Sequence, residues 1–192
     1  MVHNKRFDPK NADKLMSEKR KAELQPEKII DYLDVNEYDT VADLGAGPGL
    51  FSLPLARLTD NDVYAVDIEP EMLERLKENA EAANIQNIKP IVSDLENINL
   101  ADHSVARVLN TFVIHEVTDL SRAMDEIKRI LKPGGYLLLV DWEAVETESG
   151  PPLEIRIPSK EMDNVLQENG FNTELFYLDA NHYAIKAKKD GT

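Results

Sequence analysis

Along this chain, short runs of apolar residues alternate with longer stretches in which apolar side chains return every third or fourth position. The runs Thr40–Leu44, Val63–Asp67, Ile88–Val92, Val105–Phe112 and Tyr136–Asp141 read as strands buried on both faces. Amphipathic stretches lie between them. One opens at Glu69-Pro70 and carries Met72, Leu73, Leu76, Ala80 and Ala83 on one face. Another, capped by Thr118 or Asp119, carries Leu120, Ala123, Met124, Ile127, Ile130 and Leu131, and Lys132-Pro133-Gly134-Gly135 stops it. A helix is also expected after Gly49, running to about Leu58, with Pro54 tolerated near its first turn. The alternation predicts an α/β fold, doubly wound, with a mostly parallel sheet covered on both faces.

The two ends depart from this rhythm. Residues 1–25 form a polar arm, with one helix expected over Asn11–Glu23 whose apolar positions are few: Leu15, Met16, Ala22 and, just beyond, Leu24. So little apolar surface predicts a movable lid, with Phe7 and Leu15 facing inward and Arg20 or Lys19 available to an anionic group. At Gln25-Pro26-Glu27 a new helix starts, and Ile29, Ile30 and Leu33 turn it toward the sheet. Near the other end, Gly150-Pro151-Pro152 marks a loop and Ser159 or Lys160 to Asn169 a helix that Gly170 ends. Phe171–Leu178 and His182–Ala187 then read as strands joined by Asp179-Ala180-Asn181, and so short a turn makes the pair antiparallel. The division expected is an arm, 1–25, and one domain, 26–192.

Composition narrows the chemistry. The 192 residues carry a net charge of −14, which disfavours a nucleic-acid partner, although residues 1–28 hold eight Lys/Arg against five Asp/Glu. Without cysteine there is no thiol nucleophile, disulfide or thiolate site, and His3, His103, His115 and His182 show no metal-ligand spacing, so no metal is expected. The longest apolar run, Tyr136–Val140, is too short to cross a bilayer, and the first residues lack the apolar stretch of a signal peptide. A cytoplasmic location is the expectation. Oligomeric state is not legible.

The most informative stretch is Val41 to Phe51, a strand feeding a turn with glycine at positions 45, 47 and 49. Such a turn lets the backbone bend sharply and a ligand approach without a Cβ in the way. The dinucleotide fingerprint requires G-x-G-x-x-G, but here Leu50 stands at the last glycine position. Asp43, two residues before the first glycine, would repel a pyrophosphate and suits an ammonium or sulfonium. That chemistry favours S-adenosylmethionine (SAM) over NAD. Asp67 ends the second strand 18 residues past Gly49, where a doubly wound fold places the acid that holds ribose hydroxyls.

This D-x-G-x-G-x-G pattern resembles the first motif of the class I SAM-dependent methyltransferases. Further features match that family in order: Asp67, Asp94-Leu95 after the third strand, Asn110-Thr111-Phe112 ending the fourth, Leu-Lys-Pro-Gly-Gly at 131–135, and the closing hairpin. The resemblance covers residues 26–189 and is strongest to the small-molecule branch of ubiquinone/menaquinone-biosynthesis and arsenite methyltransferases. The absence of cysteine departs from the arsenite enzymes. The family implies a seven-stranded sheet with an antiparallel last strand, SAM as methyl donor and S-adenosylhomocysteine (SAH) as product. By the same resemblance Gly45, Ala46, Gly47 and Gly49 line the methionine part with Asp43 near its ammonium. Asp67 takes the ribose, Ile68 and Met72 the adenine side, Asp94 and Leu95 the adenine edge, and Asn110 and Thr111 the reactive end.

A base is needed only if the acceptor must lose a proton. His115 and Glu116, just past the fourth strand, and Asp141, ending the fifth, stand at the sheet edge where ligands bind, and an imidazole titrates in the useful range. Tyr32, Tyr38 and Trp142 read as packing residues. Asn110-Thr111-Phe112-Val113 is not the Asn/Asp-Pro-Pro-Tyr of amino-methylating nucleic-acid enzymes, which leaves a small-molecule or protein acceptor. The reading adopted is methyl transfer to a small molecule. Its rivals are a non-catalytic SAM- or SAH-binding module, a protein methyltransferase and, more remotely, a nicotinamide-dependent oxidoreductase.

Overall fold

A computed structural model of the chain describes residues 12–191. Its seven strands are β1 (Val41–Leu44), β2 (Val63–Asp67), β3 (Ile88–Val92), β4 (Val105–Thr111), β5 (Leu131–Trp142), β6 (Phe171–Tyr177) and β7 (His182–Lys189). They form one sheet in the order β3-β2-β1-β4-β5-β7-β6. β1 to β5 pair in parallel, while β7 runs antiparallel to both β5 and β6, so β6 again points with the others. The chain order reverses between β1 and β4, and a cleft opens at the strands' carboxyl ends there.

Both faces of the central strands are buried, and the alternation along them assigns each side chain to a face. The edge strands β3, expected to be buried on both faces, and β6 are partly exposed because each has a neighbour on one side only. In β5, Leu137 and Leu139 join the core beneath α6 (Leu120–Ile130) and α7 (Ser159–Glu168), where Met124, Ile127, Met162 and Leu166 are fully covered. Leu138 and Val140 join the opposite core with Ile30 and Leu33, from α3 (Pro26–Asp31) and the residues after it, and with Leu55 of α4 (Ser52–Leu55) and Leu76 of α5 (Pro70–Ala82). At about 1.5–3 kcal/mol per buried large aliphatic side chain, these two layers hold the domain together.

Several elements differ from the sequence reading. The arm is two short helices, α1 (Ala12–Leu15) and α2 (Glu18–Leu24), because Ser17 caps the second: its Oγ accepts from the Arg20 amide at 3.3 Å and donates to the Lys14 carbonyl at 2.9 Å. Phe7, expected to face inward, lies outside the described residues. Gln25 joins arm to domain in the left-handed region, φ 47°. The helix expected to reach Leu58 is the single turn α4. Pro54 withdraws a donor, and beyond Ala56 the Arg57 and Leu58 amides bond only three residues back. β5 begins at Leu131, directly at the end of α6, and pairs with Val105; the register shifts before Tyr136 meets Arg107, which sets 132–135 off as an irregularity in the strand. A Cβ on Gly135 would come within 2.9 Å of the Ala106 and Lys132 carbonyls, which explains its glycine. Among the described residues no helix is long and apolar enough to cross a membrane, and no group of three or more His, Cys, Asp or Glu that could hold a metal is found.

Candidate functional site

β1 ends in the glycine turn, which leans on β2: the Gly45 and Ala46 amides donate to the Val66 carbonyl at 2.8 and 3.0 Å. All three glycines have positive φ, +80° at Gly45, +52° at Gly47 and +99° at Gly49. They do different work. A Cβ on Gly45 would strike the Val113 side chain at 2.6 Å, and one on Gly49 would press Leu76 at 3.2 Å, so those two serve packing. Around Gly47 the nearest atom is Leu15 Cδ1 of the arm, 3.8 Å away, so a side chain there would grow toward the arm.

Beside the turn lies a cleft of about 950 Å³. Of the residues singled out above, Gly45, Ala46, Gly47, Asp67, Ile68, Met72, Asp94, Leu95, Thr111, His115 and Glu116 line it together. Asp67 is fixed by the backbone: its Oδ2 accepts from the Gly47 amide at 2.8 Å and its Oδ1 from the Glu69 amide at 2.9 Å. Burial nonetheless raises its pKa above the usual carboxylate range, against those bonds. Asp94 Oδ1 accepts from the Glu96 amide at 2.9 Å, a tight turn that sets the carboxylate at the cleft wall.

Asp43, Gly49, Asn110 and Asp141 do not line the cleft. Asp43 is buried under the turn, where Ser52 Oγ donates to its Oδ2 at 2.5 Å while Oδ1 has no partner. Desolvation lifts its pKa to about 7. Asn110 is buried on the neighbouring strand; its amide nitrogen donates to the Leu44 carbonyl at 3.3 Å and its Oδ1 is likewise unpartnered. Asp141 sits behind His115, whose Nδ1 lies 2.8 and 3.0 Å from its two oxygens; the His115 amide donates to Asp141 Oδ2 at 3.3 Å. His115 Nε2 lies 3.9 Å from Glu116 Oε1. Both histidine and aspartate are buried, at 6% and 1% exposure.

Other residues of the cleft escaped sequence reasoning. Phe112, Trp142 and His182 pack ring against ring, with centroids 4.3 Å apart for Trp142–His182 and 5.3 Å for Phe112–His182. Trp142 is thus both a packing residue and part of the wall. Ser149 to Pro152, Ile155 and Asn181 complete it, so the C-terminal loops enclose the cleft together with the arm (Lys14, Leu15, Arg20, Glu23 and Leu24) that was expected to be its lid. Trp142 had one legible signal, its place at the end of a central strand next to Asp141; the hairpin turn had none.

A parallel sheet with one inverted strand, a glycine turn at its switch point and two carboxylates at neighbouring strand ends define the class I SAM-dependent methyltransferase fold. The sequence pattern of the family described as "Methyltransferase domain" matches residues 42–139, and the chain belongs to that family. Among curated relatives, the ubiquinone/menaquinone biosynthesis C-methyltransferase UbiE of Acidiphilium cryptum is 31% identical over 127 residues, 66% of this chain and 51% of the relative. The arsenite methyltransferase of Halobacterium salinarum is 30% identical over 105 residues, 54% of this chain and 27% of the relative. The chain therefore spans about half the length or less of these two relatives. A SAM-dependent methyltransferase from Aquifex aeolicus superposes with a TM-score of 0.89 at 27% identity, covering 95% of this chain and 99% of that one.

Proposed function

We propose that this chain transfers a methyl group from SAM to a small-molecule acceptor, with His115 as the proton-accepting group. The observation carrying this reading is the cleft itself, where Gly45–Gly47, Asp67 and Asp94 share one cavity with a histidine whose far nitrogen is held by a buried carboxylate. The residues suit the cofactor. The unpartnered Asp43 Oδ1 and Asn110 Oδ1 stand behind the cleft wall rather than on it, so the fit rests on the carboxylates of Asp67 and Asp94 and on the room above Gly47. Asp67 keeps acceptor capacity beyond its two backbone bonds, as ribose hydroxyls require. When bound, SAM would supply a methyl already activated on a sulfonium.

The protein's part is then positioning and water exclusion. With Asp141 ionised, the Nδ1 proton of His115 points to the carboxylate, which leaves Nε2 as the basic nitrogen. Nε2 would accept the acceptor's proton as its nucleophilic atom attacks, and Asp141 would stabilise the imidazolium formed. The arm closes one side of the cleft, and its opening about Gln25 would admit substrates. Methyl-labelled SAM incubated with the protein and a cell extract, read by mass spectrometry, tests the proposal: a labelled small molecule is expected. Label in no product, together with no calorimetric saturation by SAH at high micromolar concentration, would refute it.

A further inference from the structure

Where the arm meets Phe112 and the hairpin turn, the cleft holds a charge that neither the cofactor residues nor the His115–Asp141 pair employs. Arg20 lies over the Phe112 ring, its Cζ 5.6 Å from the centroid. Its Nε is buried without a hydrogen-bond partner, and among the described residues it makes no ion pair. Burial lowers its pKa, and Glu23 on the same helix, acting through space, partly offsets that. Glu23 makes no hydrogen bond or ion pair with it and lies 3.8 Å from the exposed Lys19. Arg156 is the instructive contrast. It too covers an aromatic ring, Trp142 at 5.0 Å, but its guanidinium is satisfied by Pro151 and Val145 carbonyls at 2.9 and 2.8 Å and by Thr147 at 2.7 Å. One arginine is a finished structural tie; the other is not.

Two neighbours share that incompleteness. The His182 ring meets the edge of Phe112 at 5.3 Å, its Nδ1 is held by Asp179 at 2.8 Å, and its Nε2 is buried without a partner. Phe112 itself sits at φ +58°, a conformation costly for a bulky side chain and typical of functional sites. A desolvated guanidinium with no hydrogen-bonded anion is unfavourable, and an arriving carboxylate relieves it with charge-assisted, bidentate bonds that the more distant influence of Glu23 does not supply. A cationic acceptor is disfavoured here, because Arg20 already covers the Phe112 face it would use. Of the acidic residues lining the cleft, Asp67, Glu69, Asp94 and Glu96 lie on the β2 and β3 ends, Glu116 stands beside His115, Asp179 is held by His182, and Glu23 is on the arm.

We propose that Arg20, seated on Phe112 beside His182, binds a carboxylate carried by the methyl acceptor, so that the acceptor is a small acid with an apolar body. The proposal rests on the methyl-transfer reading of the cleft. Trp142, Val113, Pro151 and Ile155 supply the apolar wall for that body.

Benzoate, with benzamide as its neutral match, is the probe. Each is titrated by NMR into protein saturated with SAH. Benzoate should bind more tightly than benzamide in the wild type. Arg20→Met should weaken benzoate at least about tenfold and leave benzamide unchanged. Equal binding of the two in the wild type, or no response to Arg20→Met, overturns the proposal. The methionine tail of the cofactor also carries a carboxylate, so SAH and 5′-methylthioadenosine, which lacks the tail, are titrated in parallel. A loss confined to SAH assigns Arg20 to the cofactor and overturns the acceptor assignment. If the wild type binds no SAH, the cofactor reading fails, while the benzoate comparison run without SAH still decides Arg20.

Discussion

The two ring nitrogens of His115 have different surroundings: Nδ1 is 2.8 Å from a buried carboxylate oxygen, while Nε2 is 3.9 Å from the nearest Glu116 oxygen. On the proposed mechanism Asp141 selects the tautomer a base requires, a supporting part for a residue that the sequence offered, with His115 and Glu116, as a catalytic candidate. His115→Gln should lower kcat by roughly 10²–10⁴-fold while SAH affinity, read by calorimetry, stays as in the wild type. Equal losses in both would make His115 a cofactor-binding residue. Asp43 makes a second case. Burial raises its pKa to about 7 in the folded state, above the ordinary value near 3.8. Between those values the folded protein holds a proton the unfolded chain has lost. The stabilising contribution of the neutral carboxyl is therefore complete below about pH 4 and declines as pH rises through 7. Asp43→Asn keeps the shape without the titration. Its stability relative to wild type should rise with pH across this window, on the order of 1 kcal/mol per unit, as read from urea midpoints at several pH values. A flat difference would mean that Asp43 stays ionised throughout.

At the scale of elements, the arm is the part whose energetics and position diverge most. No residue of α2 is buried, and among the described residues of the arm Ala12 is buried while Met16 and Leu24 are the ones packed against the adjoining core, so these residues add little to stability. Yet it lines the cleft with Leu15 and Arg20 and stands next to Gly47. Removal of residues 1–24 should shift the thermal midpoint of the ligand-free protein by less than about 4 °C and abolish methyl transfer. Hydrogen exchange reads the same idea directly: amides in 18–24 should become protected only with SAH bound. Equal protection without ligand would make α1 and α2 fixed structural helices. The break between them was illegible because Ser17 is a tolerable helix residue in sequence, and only its bonds to Lys14 and Arg20 make it a cap.

For the whole molecule, ligand binding should appear as stability. A site that exists only in the folded chain gains about 2.7 kcal/mol at a hundredfold excess of SAH over Kd, or a midpoint rise of roughly 5–10 °C for a domain of this size. NAD at the same concentration should give no shift, since the G-x-G-x-G spacing departs from the dinucleotide fingerprint. A response to NAD instead would return the glycine turn to dinucleotide binding. The −14 net charge works in the same direction against polyanionic partners.

Local rules were enough to read the sheet, its inverted last strand, the glycine turn and the acids at strand ends. Buried strands show as apolar runs, a three-residue turn admits only an antiparallel pair, and positive φ calls for glycine. Long-range packing decided the rest. Nothing near Asp43 or Asn110 in the chain tells that both lie beneath the cleft rather than on it, because that depends on which sheet face each side chain takes. His115 and Asp141, 26 residues apart, become a pair only because β4 and β5 lie side by side. Phe112, Trp142, His182 and Arg20 come from four separate segments, and their shared contacts arise where β7 is inserted beside β5 and Arg20 of the arm reaches the Phe112 ring just past β4. Composition and periodicity carry the first kind of information; the second exists only once the chain has closed on itself.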